Sequence, residues 1–205
     1  LTRNDSCILE HKGSFQEIDI MANNTMATVI GPVETRVFFH AWHVAFAAVE
    51  EKSERVLKSI QVFDKCGEAI TKIYLQENSN VAAFEKIIAD FRSEDQSPEQ
   101  QAQAYAPETF ATEGDTNAFL GKVRTIRVLD QGHGGAQNWL NVLDPDFNMH
   151  MRMDHVDTAW VVKKPTTEGH VTSVELFDKD KNMIAQFFGL RKPGIPEKTD
   201  WRALI

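Results

Sequence analysis

The chain has 205 residues, which is enough to bury an adequate core as one large domain or as two small ones. Its apolar, aromatic and charged fractions of 42%, 9% and 25% are those of an ordinary globular protein. The net charge of −8 argues against a general nucleic-acid binder, because neutralising phosphates requires a basic surface. A local basic pocket for an anionic ligand is compatible with that charge. No stretch approaches the roughly 18 apolar residues of a membrane span, so no membrane insertion is predicted.

The start of the chain and its cysteines bear on location. Residues 1–10 lack a basic stretch followed by an apolar one, so no secretory signal is visible. Because Leu1 rather than Met opens the sequence, we expect it to begin inside a longer gene product. Cys7 and Cys66 lie in dissimilar contexts without the spacing of a metal site, and we expect two reduced thiols in a cytoplasmic protein.

The first half predicts strands followed by one helix. Residues 59–65 alternate apolar and polar side chains and run into an Asp-Lys turn, and residues 69–74 alternate again, which predicts a β-hairpin. A helix is expected at about residues 80–91, with Ala82, Ala83, Ile87 and Phe91 as its apolar stripe. Residues 92–114 are rich in Glu, Gln, Ser and Ala and predict a linker.

The second half repeats the first. Residues 173–179 and 183–188 match the two hairpin strands at a constant offset of 114 positions, and Phe46 falls opposite Trp160. The same offset places Arg36 opposite His150. Residues 13–18 resemble residues 121–126 at an offset of 108, with the difference assigned to the Gly-rich stretch 131–137.

These patterns predict an α+β fold of two tandem structural repeats, each a large antiparallel β-sheet with flanking helices. The predicted domains are a first repeat at residues 1–91, a linker at 92–114 and a second repeat at 115–205. The chain closes in a short segment, residues 196–205, with Trp201 and Leu204 as expected packing anchors.

Four motifs carry a family resemblance. They read RVFFHAW at residues 36–42, NWLNVLDP at 138–145, WVVKKPT continuing to VTSVELF at 160–177, and QFFGLRKPG followed by Trp201-Arg202 at 186–202. They resemble the haemin-degrading and haem-trafficking family of bacterial proteins, HemS/ChuX, over nearly the whole chain. The resemblance implies a HemS/ChuS-like fold and haem, iron protoporphyrin IX, as the bound group.

One departure from that family is large. The resemblance implies a helical segment before the β-part of each half, and the second of these would supply the histidine that ligates the haem iron. Here the first β-part opens the chain, and the linker passes to residue 121 without room for the second segment. Either the protein is a trimmed variant of the family, or it has these helical segments and the given sequence leaves them out.

The resemblance also implies roles for individual residues. Arg36 matches an arginine on the distal side of the haem and is the candidate catalytic residue; its guanidinium would donate hydrogen bonds to a propionate or to a ligand of the iron. Lys164 and Arg191 would pair with the propionates. Phe188 would stack on the macrocycle, and Gln186 lines the same pocket. The alternatives are a solvated surface for the cations and a packed sheet position for Phe188.

The iron ligand is sought among seven histidines. Some relatives carry a histidine at the position of Leu9, and residues two apart share a strand face, so His11 is the candidate axial ligand. The other histidines that we considered are expected at the surface, in packing or in a loop: His40, His43, His133, His150 and His155. Zinc-protease, zinc-finger and nucleotide-hydrolase motifs are absent from the sequence.

Three functions follow from the resemblance. The first is haem degradation for iron acquisition, a haem oxygenase-like activity, in which most of the chemistry belongs to the haem. The second is a haem chaperone that delivers haem to a separate haem oxygenase without turnover. The third is a non-catalytic scaffold that has lost its haem. Expected partners are haem and either a haem oxygenase or an inner-membrane haem transporter, and the protein is a monomer or dimer.

Overall fold

The structure is a computed structural model that describes residues 1–52, 55–97, 99–106, 138–166, 169–190 and 195–205, together with the backbone of 123–126. It forms two compact units. The first comprises Leu1–Arg3, Ile8–Pro107 and Leu143–Asn148. The second comprises Asn4–Cys7, Glu108–Val142 and Met149–Ile205.

Strands dominate the described part of the chain. In chain order they are β1 (Thr2–Arg3), β2 (Cys7–His11), β3 (Glu17–Ile20), β4 (Met26–Ile30), β5 (Thr35–Phe38), β6 (Val44–Glu51), β7 (Val56–Phe63), β8 (Ala69–Tyr74), β9 (Val123–Ile126), β10 (Trp139–Leu143), β11 (Phe147–Arg152), β12 (Thr158–Thr166), β13 (Gly169–Phe177) and β14 (Met183–Phe188). The helices are α1 (Val81–Phe91) and α2 (Thr199–Leu204), with 3-10 turns at Phe39–Ala41 and Met153–His155.

Antiparallel pairs dominate the sheets, and short turns join most neighbours, but β2 and β11 and also β9 and β12 are neighbours that lie far apart in the sequence. The strand orders are β3-β4-β5, β6-β7-β8, β14-β13-β12-β9 and β1-β2-β11-β10. Both predicted hairpins are present, as β7–β8 and β13–β14.

The structure confirms the repeat at the offset of 114. Phe46 pairs with Gln61 across β6 and β7, and Trp160 pairs with Glu175 across β12 and β13. A register shift lies between Val62 and Phe63 in the first copy and at the equivalent point of the second. The two 3-10 turns are also related by this offset. The duplication therefore includes the irregularities of the sheet as well as its strands.

The match at an offset of 108 is not reproduced. Strand β3 pairs with β4, whereas β9 pairs with β12. Short alternating strands resemble one another whatever their partners, which explains the misleading similarity.

Helix α1 begins where expected, but its buried face was predicted wrongly. The Asn80 side chain accepts a hydrogen bond from the Ala83 amide at 3.0 Å and caps the helix. Its buried residue is Phe84, while Ile87 and Phe91 are exposed. The predicted apolar stripe omitted Phe84, the residue of this helix that is buried.

Part of the predicted linker packs on the first unit. The Gln103 amide donates to the Lys65 carbonyl at 2.7 Å, and the Tyr105 hydroxyl donates to Asp64 at 3.0 Å. The Lys65 ammonium lies 4.4 Å from the centre of the Tyr105 ring.

The C-terminal segment is anchored differently from expectation. Trp201 packs and its indole N–H donates to the Thr172 carbonyl at 2.9 Å, but Leu204 is 71% exposed. The second anchor is Glu197, which is buried. Both cysteines are free thiols, as expected. Within the described ranges, no helix is long and apolar enough to cross a membrane.

Candidate functional site

The register of β12, β13 and β14 places three of the predicted haem residues on one side of the sheet. Opposed residues of an antiparallel pair share a face, and alternate residues of one strand return to it. We call this side the β12–β14 face; it comprises Trp160, Lys164, Ser173, Glu175, Gln186 and Phe188.

Glu175 lies at the centre of the β12–β14 face. It is 8% exposed and accepts hydrogen bonds at Oε1 from the Ser173 hydroxyl at 2.9 Å and from the Lys164 ammonium at 3.0 Å. A buried carboxylate requires such partners, because its removal from water is otherwise unfavourable. The Lys164 side chain remains 52% exposed, so the ammonium can still reach a second anion.

Gln186 and Phe188 complete this face towards solvent. Gln186 is opposite Glu175 and Phe188 is opposite Ser173, and both side chains are exposed. The Phe188 ring is 49% exposed, so an apolar ligand can contact it. The structure thus brings together an apolar ring, an amide and a cation within one surface. Arg191, the fourth predicted residue of this set, lies outside the described residues.

A clasp formed by Glu197, Trp201 and Arg202 anchors the C-terminal segment to β13. The Glu197 carboxylate, whose side chain is 0% exposed, accepts from the Thr172 amide at 2.9 Å and from Arg202 at 3.1 Å. Burial alone would raise the pKa of Glu197, but these hydrogen bonds outweigh it, and the pKa is lowered overall. Gly189 leaves no room for a side chain, because a Cβ there would lie 2.5 Å from Trp201 and 2.7 Å from Glu197.

Arg36 lies in the first unit, on strand β5 opposite Thr28. Its side chain is exposed, and within the described part of the chain its guanidinium makes no hydrogen bond or ion pair. Phe38, on the same face of β5, is 48% exposed. All donors of the guanidinium are therefore available to an external acceptor.

His11 also lies in the first unit, at the end of β2. Its ring contacts Phe147 with centroids 4.8 Å apart. Partial removal from water is the larger cause that lowers the pKa of His11, and the positive Leu1 ammonium adds to it. The neutral imidazole, the form that can ligate iron, is therefore favoured, and the axial role of His11 stays a prediction.

A separate cleft of about 360 Å³ lies in the first unit. It is lined by His40, Ala41, Trp42, His43, Lys65 and Tyr105. None of the residues predicted for haem lines this cleft. Among the described residues, no group of three or more histidine, cysteine or carboxylate side chains is arranged to hold a metal ion.

Glu175 was not among the predicted site residues, although it lies inside the motif at residues 160–177. The signal was the alternation of Ser173 and Glu175 in the strand, which places both side chains on the face of Lys164. Recognising that a carboxylate between two sheet positions needs a cation would have identified the pair.

Comparisons with known proteins agree with this fold. A family model described as the haemin-degrading HemS.ChuX domain matches residues 1–91 and 119–205. The hemin transport protein HemS of Yersinia enterocolitica is 26% identical over 268 positions, which cover 98% of this chain and 77% of that protein. The hemin transport protein HmuS of Yersinia pestis is 26% identical, with 100% and 78% covered. Both alignments are longer than this chain, so they include positions of the relatives without a counterpart here.

Solved structures show the same architecture. Holo-PhuS, a heme-binding protein from Pseudomonas aeruginosa, superposes with a TM-score of 0.81 at 29% identity, over 99% of this chain and 78% of that one. ChuS, a heme oxygenase of E. coli, superposes with a TM-score of 0.75 at 23% identity, over 98% and 80%. These structures confirm the expected α+β fold of two repeats.

Proposed function

Because this chain belongs to the haemin-degrading HemS.ChuX domain family, we propose that it binds haem on the β12–β14 face of its second unit. The proteins that this chain resembles include two hemin transport proteins, a heme-binding protein and a heme oxygenase. Membership of this family indicates the class of ligand. The side chains of the β12–β14 face determine whether a haem would fit there.

The β12–β14 face suits a haem in its chemistry. A haem offers a flat apolar macrocycle and two anionic propionates. Phe188 presents a half-exposed ring for the macrocycle, and Lys164 presents an ammonium for a propionate. The exposed Gln186 amide lies between them in sequence and adds a donor. This shared face is the observation that carries the proposal.

Lys164 would act by exchanging partners. It is held by Glu175 at 3.0 Å, and an arriving propionate would compete with that carboxylate for the ammonium. Glu175 keeps its hydrogen bond from the Ser173 hydroxyl during the exchange. The ammonium is therefore available to a propionate only in competition with Glu175.

Degradation for iron acquisition is the activity that we propose to follow binding, since the domain family is haemin-degrading. When bound, haem would itself supply the iron for oxidative opening of the ring. By resemblance, the candidate catalytic residue is Arg36, an exposed residue of the first unit whose guanidinium makes no hydrogen bond or ion pair to the described residues. We place this activity in the cytoplasm.

Transfer of intact haem is the second candidate. It is favoured by the exposure of Phe188 and Gln186, since a ligand on an open face can leave without a large rearrangement. The recipient would be a separate haem oxygenase or an inner-membrane transporter.

One titration separates these functions. Haemin is added to the purified chain, the Soret band is followed, and a reductant is then added in air. A shifted Soret band that converts to an open-chain tetrapyrrole supports degradation, while a shifted band that survives supports transfer. An unshifted Soret band at a haemin excess would reject haem binding, and with it both candidates.

A further inference from the structure

The cleft of about 360 Å³ in the first unit lies where two turns meet. One is the 3-10 turn at Phe39–Ala41, which leads into β6, and the other follows β7 and carries Lys65. The His43 amide donates to the Phe63 carbonyl at 2.9 Å, so the start of β6 is fastened to the end of β7. The hairpin therefore brings the side chains of the first turn to Lys65.

Tyr105 contributes a wall of this cleft from the segment that follows α1. The Lys65 ammonium lies 4.4 Å from the centre of its ring, and its hydroxyl donates to Asp64 at 3.0 Å. The Asp64 carboxylate also accepts from the amides of Cys66 and Glu68, at 3.0 and 2.9 Å. That negative charge is thus engaged within its own turn, and no carboxylate is among the described residues that line the cleft.

Four nitrogen-bearing side chains line the cleft: His40, Trp42, His43 and Lys65. Within the described ranges, none of the four has a hydrogen-bond or ion-pair partner. An ammonium and an indole N–H can only donate, and an imidazole carries at least one N–H. A set of donors without an opposing carboxylate favours an anionic ligand, because hydrogen bonds to an ionised acceptor are the strong ones.

The second repeat has the opposite chemistry at the equivalent positions. At the offset of 114, Asp154 stands in place of His40 and Asp157 in place of His43. Each of these aspartates is held by a cation, at 2.8 and 2.9 Å. The duplicated turn therefore folds with either set of side chains, and the unpartnered donors belong to the first copy.

Two aromatic rings and the size of the cleft narrow the class of ligand. Trp42 is 37% exposed and Tyr105 is 52% exposed, whereas Val156, the equivalent of Trp42, is 8% exposed. The turn thus packs without an exposed indole, and the indole is available to a ligand. Sites for small molecules enclose about 300–1,000 Å³, so this cleft suits a small planar ligand and not a macrocycle.

We propose that the cleft binds a small aromatic carboxylate, with the Lys65 ammonium on the carboxylate and the rings of Trp42 and Tyr105 against the aromatic part. The imidazoles of His40 and His43 supply further N–H donors to the anion. The association is non-covalent. The site shares no residue with the β12–β14 face and does not rest on the proposed haem binding.

The test is equilibrium dialysis of the full chain against three probes. They are 2-naphthoate, then 2-naphthol, which keeps the rings without the carboxylate, and inorganic phosphate, which has the charge without a ring. 2-Naphthoate should bind about tenfold more tightly than either of the others. Equal affinity for 2-naphthol would overturn the role of the carboxylate, and equal affinity for phosphate would overturn the role of the rings. No retention of 2-naphthoate at millimolar concentration would overturn the whole proposal.

Variants locate the bound probe. Lys65→Met should weaken 2-naphthoate binding about tenfold and leave 2-naphthol almost unaffected. Trp42→Val, which installs the residue of the second repeat, should weaken both. Lys179→Met is the matched control, because Lys179 is the exposed equivalent of Lys65, and it should leave the affinity unchanged. Binding that is lost in Lys164→Ala and kept in Lys65→Met would place the probe on the β12–β14 face and overturn the proposal.

Discussion

The two repeats carry hairpins of the same register with different chemistry. In the first, the Gln61 amide donates to the Ser59 hydroxyl at 3.0 Å, and this neutral pair is buried. In the second, Ser173 donates to Glu175 at 2.9 Å, and Lys164 completes a charged network. One backbone therefore supports a neutral and a charged version of the same site.

The exposed positions differ in the same way. Glu50 in the first repeat corresponds to Lys164, and Lys72 corresponds to Gln186. Lys72 lies 5.8 Å from the Phe63 ring, so its charge is directed to an aromatic neighbour. In the second repeat, Lys164 instead pairs with Glu175 and shares a face with the exposed Phe188. The two repeats therefore share their fold but differ in the charged side chains that they present on this face.

The largest expected effect comes from the clasp, which among the described residues belongs to the second repeat and has no equivalent in the first. Glu197→Ala removes the acceptor for the Thr172 amide and for Arg202, and should lower the free energy of unfolding by about 1.5–3 kcal/mol. Because the pKa of Glu197 is lowered in the folded chain, its stabilisation is present above the usual value of 4.5 and is lost as the pH falls through the folded value. Urea denaturation between pH 3 and pH 7 measures both effects.

The control for the clasp is Asp200→Ala, on the exposed start of α2. It should leave the midpoint of denaturation nearly unchanged. Equal destabilisation by the two variants would show that the helix as a whole, and not the Glu197 carboxylate, anchors the C-terminal segment to β13.

The next effect sharpens the difference in charge. Lys164→Ala should weaken haemin binding about tenfold, because one charge-assisted hydrogen bond to a propionate is lost and Glu175 is left without its cation. Glu50→Ala changes the equivalent position of the first repeat and should leave the affinity unchanged. Haemin dimethyl ester, which has no propionate charge, should not distinguish Lys164→Ala from the unsubstituted chain. Equal losses for haemin and the ester would refute the propionate role.

A smaller effect is expected at the end of β14. Gly189 lies against Trp201, whereas the first repeat has Leu75 at the equivalent position and no such clasp among its described residues. Gly189→Ala should cost about 1 kcal/mol, since the partly exposed Trp201 can move outward to admit the methyl group. The intrinsic tryptophan fluorescence should shift to longer wavelength. An unaltered spectrum and stability would mean that the segment adjusts without displacing the indole.

Much of the fold and part of the candidate site were predictable from the sequence, and the predictions that failed did so for physical reasons. The offset of 114 located both hairpins, because alternation and turn residues are local signals. The match of residues 13–18 failed, since strand partners depend on the whole chain. Lys164, Gln186 and Phe188 were placed together by family motifs, whereas Glu175 was missed because its role depends on distances across strands.

A modest gain in affinity is expected when the second repeat is made more like the first. Glu175→Gln reproduces Gln61, frees Lys164 from its carboxylate and should tighten haemin binding several-fold. The gain is limited because the Lys164 side chain is half exposed and its ion pair is worth about 1 kcal/mol or less. Gln61→Glu is the reciprocal variant and should not alter the affinity. Weaker binding in Glu175→Gln would instead mean that Glu175 is needed to position the ammonium.

The smallest expected effect concerns the turn between β7 and β8, where Cys66 occupies the position of Asp180 in the second repeat. The thiol donates to the Asp64 carboxylate at 3.1 Å, and this hydrogen bond raises the pKa of Cys66. A raised pKa leaves less thiolate at pH 8, so alkylation is slow. Asp64→Asn keeps an oxygen acceptor for the turn amides but removes the charge, and should speed iodoacetamide labelling several-fold. Asp178→Asn in the other repeat should leave the rate unaltered, and buried Cys7 serves as the internal reference. If mass spectrometry found equal labelling rates in the two variants, the slow reaction of Cys66 would be due to access and not to the carboxylate that distinguishes this turn.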